Sequence, residues 1–73
     1  MSESTPIRLA ALIREKRQDA GLSHEALSVS AGVDRSTISL IESGKRVPTI
    51  STAERIAVAL GVRLSELIAE AEK

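Results

Sequence analysis

A chain of 73 residues has room for one domain around a single small core, so residues 1–73 are read as one unit. Without cysteine there is neither a disulfide framework nor a thiolate metal site, and the lone histidine, His24, leaves too few ligands for zinc, so no cofactor or metal is expected. Ten basic residues cancel ten acidic ones, and the chain has no Phe, Tyr or Trp. Any affinity for nucleic acid must then come from local arrangement, and the stacking platforms used on single strands are missing, which favours a duplex as target. No apolar run approaches the ~18 to 20 residues of a membrane span. Met1 is followed by Ser2, Glu3 and Ser4 rather than by a basic and then apolar leader, so the expected location is cytoplasmic.

The four glycines each follow a segment whose apolar residues recur at helical spacing. The first segment has Thr5 as its cap and Pro6 at the first helical position, where a missing N–H costs nothing. Leu9, Leu12, Ile13 and the alkyl stem of Lys16 then share one face, and Gly21 ends the helix. Ser23 caps a short second helix with Ala26 and Leu27 inward, and Gly32 is placed for a left-handed turn. Asp34 caps a third helix running to Ser43, with Ile38 and Ile41 buried and Gly44 as terminator. After the loop Lys45-Arg46-Val47-Pro48, Ser51-Thr52-Ala53-Glu54 has the pattern of a capping box opening a fourth helix, with Ile56, Ala57 and Leu60 inside and Gly61 at its end. A fifth helix from about Leu64 aligns Leu64, Leu67, Ile68 and Ala71. Neither a period-2 run nor a hairpin dipeptide occurs between apolar segments, so the fold class expected is an all-α, compact five-helix bundle.

Two short helices joined through a glycine-containing turn make a helix-turn-helix, whose second helix enters the major groove; here the unit is Ser23 to Ser43. Gly21-Leu22-Ser23-His24-Glu25-Ala26-Leu27, Gly32-Val33-Asp34-Arg35-Ser36-Thr37-Ile38-Ser39-Leu40-Ile41-Glu42-Ser43-Gly44-Lys45, Pro48, and Ile56-Ala57-Val58-Ala59-Leu60-Gly61-Val62 follow in order. Together they resemble the phage repressor/Cro-type helix-turn-helix family, also called the xenobiotic-response-element type, over Ile7 to Ile68. The resemblance implies a lambda-repressor-like bundle and a sequence-specific transcriptional regulator of double-stranded DNA, a repressor or controller acting as a dimer on a palindromic operator.

With Ile38 and Ile41 inward, the outer face of the third helix offers Arg35, Ser36, Thr37, Ser39 and Leu40 as base contacts. Arg35, at the helix start, is placed for the bidentate contact to guanine O6 and N7, against the plainer reading of a solvated surface arginine. The three hydroxyls suit bases or phosphates and are also ordinary helix surface. Leu40 could pack on a thymine methyl, or be an isolated surface apolar residue.

Phosphate contacts are expected from Ser23 and His24 beside the N-terminus of the second helix, and from Ser43, Lys45 and Arg46 after the reading helix. The family usually has Gln where His24 stands, so a contact there would respond to pH near neutrality. The resemblance also pairs Arg17 with Glu42. One role for the pair is to aim Arg17 at a phosphate; the primary one is a partly buried ion pair locking the first and third helices. The sequence departs from the family at Ser28, where alanine is preferred, at Ala53, smaller than the usual leucine, and at Arg63, in place of a small polar cap.

Leu64, Leu67 and Ile68 on the fifth helix are the expected homodimer surface, with closure of the monomer core as the alternative. A competing function is a protein-interaction module, such as an antitoxin with a toxin as its partner, in which DNA binding is autoregulatory. A further one is the DNA-binding domain of a longer chain. An enzyme is not indicated: His24 has no cysteine partner, the serines form no nucleophile motif, and the glycines are too dispersed to cradle phosphate.

Overall fold

Residues 4–73 are described by a computed structural model, and they form α1 (Thr5–Asp19), α2 (His24–Ala31), α3 (Arg35–Glu42), α4 (Ile50–Ala59) and α5 (Leu64–Ala71). Met1, Ser2 and Glu3, on which the expectation of no leader segment largely rests, lie outside the described residues. Among the described residues no strand forms, and no helix is long and apolar enough to cross a membrane.

Each helix sends at least one branched aliphatic side chain into the centre. Ile13, Leu27, Ile38, Ile56 and Leu67, one from each of α1 to α5, are all fully buried. Burial of a side chain this size contributes about 1.5–3 kcal/mol, so these five form the nucleus on which the smaller Ala31, Ala57 and Ala71 close. α1 packs on α5 and α3, α2 on α3 and α4, and α4 on α5. The Lys16 ammonium reaches the Glu70 carboxylate at 3.6 Å and clips α1 to α5.

The joint between α2 and α3 needs a backbone that glycine supplies without steric cost. Gly32 takes φ +66° and ψ +34°, and its N–H together with that of Val33 donates to the Ser28 carbonyl. The chain turns within Gly32-Val33-Asp34, and Val33 packs against the core before α3 begins.

Three expectations need correction. α1 starts one residue early: Ser4 holds the cap position, and Thr5 is the first helical residue and is buried. α4 starts at Ile50, with Thr49 as its cap, so Ser51 lies inside the first turn. Thr49 stands in extended conformation immediately after Pro48, and its Oγ1 accepts from the Thr52 backbone N–H at 3.1 Å and lies 3.0 Å from the Thr52 hydroxyl. Ala53, Ile56 and Ala57 are the buried residues of α4. Finally, the α5 stripe expected as a dimer surface divides. Leu67 and Ala71 have no exposed surface and belong to the monomer core, so Leu67 cannot meet a partner. Leu64 and Ile68 are half-buried and border an apolar groove with Thr5, Pro6, Leu9, Val47, Pro48, Ile50 and Ala53.

Candidate nucleic-acid interface

Burying Ile38 and Ile41 fixes how α3 is rotated. At about 100° per residue, the direction opposite their midpoint falls near Ser36 and Ser43, flanked by Ser39 and Leu40 and then Arg35. Arg35, Ser36 and Ser39 are exposed and Leu40 is half-buried. These four line an open depression with Ser23, His24 and Glu25 from the start of α2. Leu40 is not among the apolar side chains packed on the core. It thus presents an aliphatic side chain among polar and charged residues.

Thr37 lies elsewhere. The same rotation puts it beside Ile41, on the flank of the helix; it is half-buried and its hydroxyl is 3.4 Å from Arg46 Nη1. The structure therefore brings together four of the five expected base readers and turns Thr37 toward the loop after α3.

Two hydroxyl protons on this face, those of Ser36 and Ser43, are already committed. Ser36 Oγ donates to the Asp34 carboxylate at 3.0 Å, leaving its lone pairs for an incoming donor. Asp34 sits at the cap position of α3, but its side chain serves Ser36 and makes no bond to the helix N–H groups. Ser43 Oγ donates to the Leu40 carbonyl, which also accepts from the backbone N–H groups of Lys45 and Arg46. Gly44, at φ +77°, lets the chain turn back to make those two bonds. Lys45 and Arg46 are exposed. Ser23 caps α2, its Oγ accepting from the Ala26 N–H at 3.0 Å.

Behind the depression lies a network of three charged or chargeable side chains. Arg17 grips Glu42 with two parallel bonds, Nε to Oε2 at 2.8 Å and Nη2 to Oε1 at 3.0 Å, and its Nη1 donates to the Leu22 carbonyl at 2.8 Å. His24 Nε2 is 3.0 Å from Glu42 Oε1. The Glu42 side chain is 4% exposed and that of Arg17 11%, so the pair is a buried one joining α1 to α3, with α2 attached through His24. Burial favours the neutral carboxyl, but hydrogen bonds from Arg17 and His24, reinforced by the guanidinium charge, outweigh it and hold Glu42 below its ordinary value. Three of the five Arg17 donors are thus engaged inside the protein, two of them on α3.

One residue went unnoticed in the sequence. Arg14 is exposed on α1 and borders a smaller depression with Arg17, His24, Ser39, Glu42 and Ser43. Its signal was the i, i+3 spacing to Arg17, which places both guanidinium groups on neighbouring faces of α1. Reading α1 only for apolar periodicity passed over it.

Residues 13–67, more than half the chain, match the model of the family described as helix-turn-helix. The chain belongs to the helix-turn-helix family, of the phage repressor/Cro type. An HTH-type transcriptional regulator of Methanothermobacter thermautotrophicus is 48% identical over 50 residues, covering 68% of this chain and 72% of the relative. Control protein C.MunI of a Mycoplasma species is 36% identical over 58 residues, covering 80% and 78%. Among solved structures, the restriction-modification controller protein C.AhdI from Aeromonas hydrophila superposes with a TM-score of 0.81 at 32% identity, over 85% of this chain and 94% of the controller. The shared fold is the all-α, lambda-repressor-like bundle expected from the sequence.

Proposed function

We propose that this helix-turn-helix protein is a sequence-specific regulator of transcription that binds double-stranded DNA as a homodimer on a palindromic operator, as a repressor or controller. The observation that carries the reading is the shared depression: the start of α2 and the outward face of α3 meet there, with Arg35, Ser36, Ser39 and Leu40 presented together. Inserted in the major groove, that face offers a guanidinium for guanine, a lone-pair acceptor at Ser36 for the amino group of adenine or cytosine, and an apolar patch at Leu40 for a thymine methyl. Ser23, His24, Lys45 and Arg46 flank it as backbone contacts. The names of the regulator and controller relatives support the same reading.

The zero net charge makes a dimer more valuable, since general attraction to DNA scales with the number of phosphates neutralised. Two copies related by a two-fold axis would read half-sites about 34 Å apart. The surface best suited to join them is the apolar groove beside α5, where Val47 and Ile50 are 66% and 80% exposed and Leu64 and Ile68 form the floor.

Selection from random duplexes, with wild type and Arg35→Ala in parallel, tests the reading. The wild type should recover a two-fold symmetric site, and the variant should lose about 1–3 kcal/mol, confined to one guanine position per half-site. Recovery of no preferred site overturns the function. Equal loss on every sequence makes Arg35 a phosphate contact.

A further inference from the structure

His24 stands between two depressions, one shared with Arg35 and one shared with Arg14, and its ring is 39% exposed. One ring nitrogen is spoken for. Glu42 is kept ionised by Arg17, and an ionised carboxylate can only accept, so the 3.0 Å contact requires the proton to be on His24 Nε2. In the neutral ring that leaves Nδ1 as a bare lone pair. A phosphodiester also presents only acceptors, so neutral His24 has nothing to offer it, whereas the imidazolium has an N–H at Nδ1 while keeping its bond to Glu42.

We propose that the depression bordered by Arg14, His24, Ser39 and Ser43 is a seat for a DNA backbone phosphate, with Arg14 as its cationic wall, and that filling it takes up one proton at His24 Nδ1. The inference rests on the DNA-binding reading above and adds to it a contact from α1 and a coupling to protons. No bond to carbon or phosphorus changes: the proton comes from solvent and remains on the imidazole until the phosphate leaves.

The charges around the ring explain why the phosphate is needed. Arg14 and Arg17 of α1 and Glu42 of α3 line the second depression with it, and Arg35 of α3 lines the first. Glu25 follows His24 on its own helix and lines the first depression. Glu42, 3.0 Å from Nε2, favours a positive charge on His24, and the guanidinium groups of Arg14, Arg17 and Arg35 around the two depressions oppose it. A bound phosphate adds a second anion, beside Nδ1, to the favourable side. Among the seat's hydroxyls, Ser43 has its proton on the Leu40 carbonyl, which puts the donor role on Ser39.

Because a phosphate seat is blind to sequence, random-sequence duplex at low salt is the probe, and His24 is the chain's sole histidine. Binding is measured from about pH 8 to about pH 6 for wild type, His24→Gln and Arg14→Gln. Gln at position 24 can still donate to Glu42 and does not titrate in that range, so it preserves the network and the fold. Wild-type affinity should rise as pH falls, with one-proton uptake limiting the gain to roughly tenfold per pH unit, and His24→Gln should be flat. Arg14→Gln should lower the slope of log affinity against log salt by about 0.9, the value for one phosphate. A wild type indifferent to pH, a His24→Gln variant that keeps the pH response, or an Arg14→Gln variant with the wild-type salt slope overturns the proposal. If no duplex binds at any pH, the DNA-binding reading falls and the seat falls with it.

Discussion

Replacing Glu42 by Ala removes the acceptor of three hydrogen bonds at once: from Arg17 Nε, from Arg17 Nη2 and from His24 Nε2. The guanidinium, 11% exposed, is left inside the protein with the Leu22 carbonyl as its recorded partner. Breaking a buried pair in this way costs about 3–5 kcal/mol. Water reaching the exposed edge of Arg17 places the expected loss near the lower end, about 3 kcal/mol. Domains of this length have roughly 0.05–0.15 kcal/mol of stability per residue, so the loss is a large part of the total. At about 4–8 °C per kcal/mol, Tm should fall by some 12–24 °C. Without aromatic residues, the unfolding signal has to be helical circular dichroism in urea or on heating. The pH dependence supplies an internal check. Because the folded carboxyl titrates below its ordinary value, its contribution is fully present above the unfolded value and disappears as pH falls through the folded one. The gap between wild type and Glu42→Ala should therefore be widest near neutrality and narrow in acid. An Arg17→Met, Glu42→Leu double variant, which removes both charges, should recover much of the loss. A single-variant loss below about 1 kcal/mol, or a gap that persists unchanged into acid, would refute the claim that this pair locks α3.

Leu67→Ala should destabilise by about 2–5 kcal/mol in urea unfolding, as expected for a side chain with no exposed surface. Ile50→Glu, on the exposed rim of the apolar groove, should leave unfolding within about 0.5 kcal/mol and weaken self-association in sedimentation equilibrium. If the dimer forms elsewhere, Ile50→Glu will sediment as wild type does. Thr49→Ala should cost about 1 kcal/mol by loss of the α4 cap, while Ser51→Ala stays within about 0.5; the reverse order would return the cap to Ser51. Leu40→Gln should leave stability unchanged and shift the preferred base at one position in duplex selection, away from thymine.

Much of this molecule was legible because its apolar residues carry helical spacing and glycines punctuate it. Ile38 and Ile41 set the rotation of α3 from the sequence alone, and the depression with Arg35, Ser36, Ser39 and Leu40 follows from that rotation. The Arg17–Glu42 pair was legible through the family resemblance, since no local rule joins residues on separate helices. What escaped reading depends on competition between neighbouring groups. Thr49 and Ser51 are both reasonable caps, and the choice is made by Pro48 before and the inward turn of Ala53 after. Thr37 is polar like its neighbours, yet it is only a few tens of degrees from Ile41 around the helix, which places it outside the depression. Leu64, Leu67 and Ile68 form one stripe in sequence, but α1 and α4 cover its centre and leave the margins. The bond between His24 and Glu42 could not be anticipated from spacing, because it depends on how α2 is docked on α3.

The way α3 is held has a consequence for how this protein could diverge or be re-engineered. Its grips are Ile38 and Ile41 beneath, Glu42 toward α1 and α2 on one flank, and Thr37 toward Arg46 on the other. Arg35, Ser36, Ser39 and Leu40 contribute to none of them. The four can be exchanged as a cassette while the helix keeps its seat, so under the proposed function new operator preferences arise by substitution at those positions alone, without compensating changes in the core.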